Sequence, residues 1–221
     1  MKLIATFVAL SMGASANAQT PEATMERAAR TYSDMRSMRA EFQQTITNPL
    51  TGTRSVSRGV LLRREPNLLS VNFSDPAGDR VVADGTNVWV YLPSSAPGQV
   101  IRMPASGGSS LSTVDPGGLF MSSPGSRYTI TSAGTAIISG RKTNALVLVP
   151  KKPNPAFTRA KVWIDAADNS IRQFEIADAN GLTRLVLITS LRSNVTIARS
   201  EFRFTPPAKV RILNSASLSG M

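Results

Sequence analysis

The sequence predicts a mainly β fold with helices, of the α+β class, built as a curved antiparallel sheet or unclosed β-barrel of about 11 strands. Three observations predict it. Apolar residues recur at helical spacing only near the N-terminus, and they alternate with polar residues along most of the remaining chain. Turn-forming residues separate the alternating segments. We expect one N-terminal helix and a lid that together cover an apolar cavity.

The first 18 residues predict a signal peptide. Met1 and Lys2 form a short basic start, residues 3–12 are apolar, and Ala16-Asn17-Ala18 is a small-residue cleavage site. The apolar segment is shorter than the ~20 residues that a transmembrane helix needs. We expect cleavage after Ala18 and export. A single domain over residues 19–212 and a polar C-terminal tail over residues 213–221 are predicted to follow.

Residues 21–39 predict a helix. Thr20 suits the N-cap, Pro21 suits the first helical position, and Glu22 lies at the positive helix end. One apolar stripe follows the helical spacing, and its members are Met25, Ala28, Ala29, Tyr32, Met35 and Met38. This stripe predicts either the face that docks on the domain or an adaptable, methionine-rich binding surface.

The period changes to two from Ala40 onward, as expected for strands. Asp84-Gly85 lies between two β-branched segments, a pattern typical of a hairpin. No repeat of fixed period and no domain boundary is visible. The alternating segments lie around Phe42/Ile46, Leu69/Val71, Val88/Val90, Tyr128/Ile130, Leu146/Val149, Val162/Ile164, Phe174/Ile176, Leu185/Leu187, Phe202/Phe204 and Val210/Ile212.

One long segment, residues 104–126, breaks the strand pattern. Fifteen of its 23 residues are Gly, Ser or Pro, yet it also carries apolar side chains at Leu111, Val114, Leu119, Phe120 and Met121. Loops of this length inside a domain are usually functional lids or disordered segments. The composition leaves two interpretations open, a mobile apolar lid and a flexible surface loop.

The composition excludes most familiar catalytic and metal sites. The chain has no Cys and no His, which removes disulfides, thiol nucleophiles, imidazole relays and the usual zinc ligands. Asp165 and Asp168 form a pair that suits a turn better than a calcium loop. We therefore predict no enzyme, no catalytic residue, no metal and no cofactor.

Without Lys2 the chain has 24 basic and 14 acidic residues, a net charge of +10. The basic residues are spread along the sequence, in runs no longer than two. No aromatic-interleaved basic motif occurs, so nucleic acid is not an expected partner. Solvated outer strand faces explain the charge, with attraction to anionic lipid or an acidic partner as the alternative.

A single curved sheet cannot bury both of its faces. The apolar concave face must therefore be closed by the helix and the lid, or be filled by a ligand. This arrangement suits a carrier for an apolar molecule.

Several motifs in a fixed order make the prediction more specific. Phe42-Gln-Gln44 follows the helix, Glu65-Pro66-Asn67-Leu68-Leu69 comes next, and Asp84-Gly85 precedes Trp89-Val-Tyr91. Phe202-Arg-Phe204-Thr-Pro206-Pro207 stands near the C-terminus. In this order, over nearly the whole mature chain, the sequence resembles the periplasmic outer-membrane lipoprotein carrier family of the LolA type, as a divergent member.

The resemblance implies an unclosed β-barrel whose helices and lid cover a hydrophobic cavity. It implies a monomeric periplasmic carrier that receives acylated lipoproteins from an inner-membrane lipoprotein-releasing ABC transporter and ferries them toward the outer membrane, with an outer-membrane acceptor lipoprotein as a further partner. The positions that match the family's acyl-chain lining are Phe42, Leu61, Leu69, Val71, Trp89, Tyr91, Leu119, Phe120 and Met121.

Departures from the family concern the cavity and the lid latch. Leu69 and Val71 stand where the family is often aromatic, and Glu65 stands where an Arg usually precedes the Pro and holds the lid. We predict that Glu65 latches the lid with reversed polarity, by accepting hydrogen bonds or pairing with Arg102; a solvated carboxylate at the rim of the cavity is the alternative. A bulge that turned Arg64 inward would restore the usual latch.

Two other function classes stay open at this point. A lipoprotein-sensing module of an envelope stress-signalling system would share the fold, although such proteins usually carry a second domain. An unrecognised enzyme would have to assemble its site from scattered residues.

Overall fold

The computed structural model describes residues 19–105, 116–154 and 157–214. Within them, twelve strands form one sheet in the order β12-β6-β5-β4-β3-β2-β1-β11-β10-β9-β8-β7. The strands are β1 Ser37–Thr47, β2 Arg54–Arg64, β3 Leu68–Asp75, β4 Ala77–Asp84, β5 Asn87–Tyr91, β6 Gln99–Pro104, β7 Tyr128–Ile138, β8 Arg141–Pro150, β9 Arg159–Asp165, β10 Ile171–Ala177, β11 Thr183–Ser193 and β12 Arg211–Asn214. The described helices are α1 Pro21–Ser33, α2 Pro116–Met121, α3 Pro124–Arg127 and a 3₁₀ turn at Arg199–Phe202.

The first helix is shorter than the sequence predicts. It begins as expected, because the Thr20 side chain accepts a hydrogen bond from the backbone N–H of Ala23 and Pro21 occupies the first turn. It ends at Ser33, not at residue 39, and β1 begins at Ser37. Met38 follows the helical spacing, but the chain there pairs with β2 and β11 on both sides. Those sheet hydrogen bonds outweigh the local helical pattern.

The sheet is open and bent. β1 lies near its middle and joins the β2–β6 half to the β7–β11 half. The strand pairs are antiparallel except that β12 runs parallel to β6, which adds one strand to the expected number. This last strand includes Leu213 and Asn214, two residues of the predicted tail.

Interruptions of the register help to curve the sheet. One lies between Glu41 and Phe42 on β1, and another lies between Arg58 and Gly59 on β2. Gly59 is required at this bend, since a Cβ atom there would lie 2.5 Å from the carbonyl oxygen of Asn72 and 3.0 Å from the Phe42 ring. The absence of a side chain at Gly59 therefore lets β2 pass close to Phe42 of β1 and to the β3 backbone.

Both faces of the sheet carry apolar clusters. The larger one lies on the concave side, where α1 and α2 pack against residues from both halves of the sheet. A smaller one on the convex side joins Leu62 and Leu68 to Ile197 and Phe202 of the C-terminal segment. No helix in the described ranges is both long and apolar enough to span a membrane.

Candidate functional site

A cavity of about 290 Å³ lies between α1 and the concave face of the sheet. Its walls are almost entirely apolar. The lining residues are Ala28, Thr31, Tyr32, Met35, Met38, Ala40, Phe42, Gln44, Leu61, Val71, Phe73, Val81, Val90, Ser170, Ile171, Phe174, Arg184, Val186, Ile188 and Leu191.

Strand alternation selects which side chains reach the cavity. Every second residue of β1 from Met38 to Gln44 lines it, and so do Arg184, Val186 and Ile188 on β11. The floor contains an aromatic pair, because the rings of Phe42 and Phe73 meet edge to face with centroids 5.6 Å apart. The two central strands thus supply one continuous apolar surface.

Three of the residues that the sequence predicts for the lining are in it, namely Phe42, Leu61 and Val71. Leu69 lies on the same face but is 2% exposed and packs inside the neighbouring core. These four positions share a face because β1, β2 and β3 are paired in a register that puts them on the same side of the sheet.

Trp89 and Tyr91 do not line this cavity, although the sequence predicts that they do. On β5 the residues that face inward are Val88, which is fully buried in the core, and Val90. Both aromatic rings lie on the other face, where each stacks 5.8 Å from the ring of Phe204. The sequence pattern marked the strand correctly but not which parity faces inward, since both sides of β5 are covered.

The Trp89 indole also closes a hairpin. Its Nε1 donates to the Asp84 carboxylate at 2.8 Å, and the other oxygen of that carboxylate accepts from the backbone N–H of Thr86 and Asn87. Burial raises the pKa of Asp84, but these hydrogen bonds outweigh it, so the pKa lies below its usual value. Trp89 therefore supports the turn and the convex face.

The described part of the lid is buried in the core beside the cavity. Leu119, Phe120 and Met121 on α2 are each at most 9% exposed and belong to the concave cluster. The Phe120 ring meets Phe174, which also lines the cavity, at a centroid distance of 5.7 Å. In this conformation the three side chains support the cavity wall and are not themselves among its lining residues. Leu111 and Val114 lie outside the described residues.

A buried hydroxyl holds α2 in this position. Tyr128 donates to the backbone carbonyl of Leu119 at 3.1 Å, and burial raises the pKa of Tyr128 despite the neighbouring Arg127. The lid helix also approaches α1, and Glu26 of α1 accepts a hydrogen bond from the backbone N–H of Gly125 at 3.2 Å. The lid and α1 thus form one cover over the concave face.

The predicted latch residues lie away from this cover. Glu65 is exposed at the β2–β3 turn, and no hydrogen bond or ion pair of its carboxylate occurs within the described ranges. Arg64 points to the convex side and donates to the carbonyl of Ile197 at 2.9 Å, because β1 and β2 stay in register to Arg64 without a bulge. Arg102 donates to Asn214 on β12 at 3.0 Å. A contact between Glu65 and residues 106–115 stays a prediction.

The sequence reasoning missed Arg63, which does contact the cover. Arg63 follows Leu61 at strand spacing and donates to the backbone carbonyls of Tyr32, at 3.1 Å, and Met35. Its guanidinium also stacks 4.1 Å from the Tyr32 ring centroid. The sequence did carry a signal for this position, because Arg63 is two residues after Leu61 and therefore lies on the same face of β2. Arg63 fixes the C-terminal end of α1 at the edge of the cavity.

The side chains that line the cavity are mostly apolar. Its polar contributions come from Thr31, Gln44, Ser170 and Arg184. The described residues contain no cluster of acidic side chains that could hold a metal ion. Asp165 and Asp168 lie at the β9–β10 turn, where Arg141 and Arg172 each bridge both carboxylates. That pair stabilises a turn.

Comparison with known proteins agrees with the family that the sequence motifs resemble. The family model described as "Outer membrane lipoprotein carrier protein LolA" matches residues 33–205. A protein of Methylobacillus flagellatus named outer-membrane lipoprotein carrier protein is 26% identical over 171 residues, 77% of this chain and 79% of that protein. One of the same name from Chromobacterium violaceum is 25% identical over 211 residues, 95% of each chain. The crystal structure of MucB matches with a TM-score of 0.52 at 17% identity, covering 87% of this chain and 65% of that one, which shows a shared fold alone.

Proposed function

The chain belongs to the LolA family of outer membrane lipoprotein carrier proteins, and from this premise we propose that it carries acylated lipoproteins by enclosing their acyl chains in the cavity beneath α1. The observation that carries the proposal is the apolar cavity of about 290 Å³ between that helix and the concave face of the sheet. The role is one of binding and release, and the family supports a function without catalysis.

The need for such a cavity follows from the hydrophobic effect. Each CH₂ group of an acyl chain is worth about 0.8 kcal/mol when it leaves water, so a lipoprotein with exposed chains does not cross an aqueous compartment unaided. The walls offered by Phe42, Val71, Val186 and Ile188 are apolar, and they shield a chain by area alone. A volume at the low end of ordinary ligand pockets suits one chain segment before the cover moves.

Release requires that binding stay reversible. The sheet is open at its β7 and β12 edges, and the cover consists of one helix of 13 residues and the short α2 and α3 helices. Short elements joined by Gly- and Ser-rich chain move when only a few contacts break, whereas opening a closed barrel would break many more. This architecture supports loading and unloading through the concave side.

The proposed route rests on the family together with the sequence. We propose that the signal peptide is cleaved after Ala18 and that the mature protein acts in the periplasm as a monomer. It would receive lipoproteins from an inner-membrane lipoprotein-releasing ABC transporter and pass them toward the outer membrane, with an acceptor lipoprotein there as a further partner. The basic mature chain would assist attraction to anionic membrane surfaces.

Lipoprotein sensing is the second function class that the sequence left open. Its support is limited to the fold shared with MucB, of which this chain covers 65%. No residue-level feature of the described cavity favours sensing over carriage. The carrier proposal therefore takes precedence.

Two neighbouring residues on β11 provide a matched test. Ile188 lines the cavity, whereas Leu187 has the same size and lies on the opposite face of the same strand. We expect Ile188→Trp to fill the space that an acyl chain would occupy and to lower lipoprotein binding by about tenfold or more, the effect of ~1.4 kcal/mol. The measurement is release of an acylated lipoprotein from inner-membrane vesicles into solution by the purified protein.

Leu187→Trp is the control and should release lipoprotein as the wild type does. Circular dichroism of both variants checks that the sheet is intact. Equal release by Ile188→Trp and wild type, with the fold preserved, would contradict acyl-chain binding in this cavity.

A further inference from the structure

Arg184 is a basic residue in the wall of an otherwise apolar cavity. It lies on β11 with the same inward parity as Val186 and Ile188, and across the strands it is paired with Ile46 on β1 and Ile176 on β10. These two paired neighbours are apolar, and the other residues that line the cavity carry apolar side chains, hydroxyl groups or a neutral amide, which cannot balance a positive charge.

The guanidinium has no partner among the described residues. Its Nε is buried without a hydrogen bond, and no ion pair in the described ranges includes Arg184. Two other arginines, Arg63 and Arg80, also have a buried Nε without a partner, but each donates to a backbone carbonyl through another guanidinium nitrogen. Arg184 has no such bond.

Arg184 is partly buried, and its Nε is fully enclosed, so a cation without a partner at this position is less favourable than one in water. An arginine stays charged in proteins, and a charge that is partly removed from water loses favourable solvation. Burial lowers the pKa of Arg184, which reflects the same loss. An anionic group that enters the cavity would restore a partner for the guanidinium, and carboxylate and phosphate oxygens fit its planar fork best.

The position of the charge defines the shape of the ligand. Leu191, seven residues further along β11, is the lining residue of that strand farthest from Arg184, and it is paired with Ala40 on β1. At about 3.3 Å per residue these two residues of β11 are roughly 20 Å apart. The wall between them is apolar, so a ligand that satisfies both features has an anionic head and a long hydrocarbon chain.

We propose that the cavity takes a second class of cargo, anionic amphiphiles such as fatty acids or lysophospholipids, whose carboxylate or phosphate pairs with Arg184 while the chain lies along β1 and β11. The inference deepens the proposed function, since it concerns the same cavity. It is distinct from lipoprotein carriage because ester- and amide-linked acyl chains bring no negative charge to Arg184.

The test compares three probes with the same hydrocarbon chain, each kept below the concentration at which it aggregates: oleate, oleoyl lysophosphatidic acid and oleyl alcohol. Dissociation constants are measured by isothermal titration calorimetry on the mature protein. We expect at least one anionic probe to bind the wild type about tenfold or more tightly than the alcohol, because one charge-assisted hydrogen bond supplies a preference of this size. The carboxylate and phosphate arms show which head group is preferred.

Variants assign the effect to one residue. Arg184→Gln should lose the preference for the anionic probe and still bind oleyl alcohol, which also shows that the variant folds. Arg184→Lys should keep part of the preference. Arg192→Gln removes the same net charge from an exposed position on the same strand, so it should behave as the wild type.

Three results would overturn the inference. The first is equal affinity of the wild type for the alcohol and both anionic probes, and the second is an unchanged preference in Arg184→Gln. The third is a partner within the chain: Asp115 is the acidic residue outside the described ranges. A double-mutant cycle of Arg184→Gln with Asp115→Asn should show no coupling in unfolding free energy, and clear coupling would contradict the inference. Lipoprotein release from vesicles is measured in parallel, so loss of the anionic preference and failure of the carrier role are separate outcomes.

Discussion

Whether a side chain in this protein faces the cavity depends on its position in the strand alternation more than on its residue type. Trp89 and Tyr91 have the aromatic character of a lipid-binding surface, yet they stack on Phe204 on the convex face. Val90, which lies between them, lines the cavity. A shift of one residue along β5 therefore separates a structural contact from a candidate ligand contact.

The first prediction concerns Trp89. Trp89→Phe removes the hydrogen bond from the indole to Asp84 while keeping an aromatic ring near Phe204. We expect the free energy of unfolding to fall by about 1 kcal/mol, the usual worth of one such hydrogen bond, with lipoprotein binding unchanged. Urea unfolding followed by circular dichroism measures the first quantity, and vesicle release measures the second. If a stably folded Trp89→Phe protein lost lipoprotein binding, Trp89 would have to be counted among the residues that contact the acyl chains.

At the scale of elements, polar contacts hold the pieces around the cavity in place. Arg63 on β2 binds the C-terminal end of α1, and Tyr128 on β7 binds the carbonyl of Leu119 on α2. At the β9–β10 turn Asp165 accepts from Arg141 at 2.6 Å and from Arg172 at 2.8 Å. These contacts fix how each element meets the sheet, while the apolar surface supplies the driving force.

The second prediction concerns that turn and its pH dependence. Burial raises the pKa of Asp165, but hydrogen bonds from Arg141, the Ala167 N–H and Arg172 outweigh it and hold the pKa well below its usual value. A depressed pKa in the folded state stabilises the protein above the unfolded value of about 3.9 and loses that effect as the pH falls further. Asp165→Asn should therefore lower the unfolding free energy by about 2 kcal/mol at neutral pH.

The difference between wild type and Asp165→Asn should shrink as the pH falls through and below about 3.9. Urea unfolding at a series of pH values provides the measurement. Asp75→Asn is the control, because the ion pair of Asp75 with Arg58 is more than half exposed and should contribute less than about 1 kcal/mol. A difference that stayed constant down to low pH would mean that the Asp165 charge does not stabilise the turn.

For the whole molecule, the open sheet leaves an apolar cavity, which is a packing deficit in the empty protein. One large curved sheet places its main apolar cluster on the concave side, and α1 and the lid cover that side without filling it. Space left empty in an apolar core loses favourable contacts that a ligand can restore. The protein should therefore be more stable when loaded than when empty.

The third prediction follows from this linkage. A synthetic acylated lipopeptide at about 100 times its dissociation constant should add roughly 2.7 kcal/mol to the unfolding free energy. For a chain of this length that corresponds to a rise in melting temperature of roughly 5–10 °C. The same peptide without acyl chains should cause no shift, and Ile188→Trp should respond weakly to the acylated form. Differential scanning calorimetry measures both, and equal shifts from the two peptides would exclude the acyl chains as the bound group.

The mainly β class, the curved unclosed sheet, the N-terminal helix and the LolA-type family could all be predicted from the sequence. These features depend on local signals: period-two alternation, the Thr20–Pro21 helix start and turn residues such as Asp84-Gly85. The family match over residues 33–205 confirms the resemblance that the motifs indicated.

Other features were decided only by the tertiary structure. The end of α1 at Ser33 depends on strand pairing from Ser37, and the parity of β5 depends on Phe204, more than 100 residues away in the sequence. The exposure of Glu65 and the inward placement of Arg63 and Arg184 depend in the same way on which face of each strand the rest of the chain covers. Alternation along a strand specifies two faces, and only long-range packing decides which one encloses the cavity.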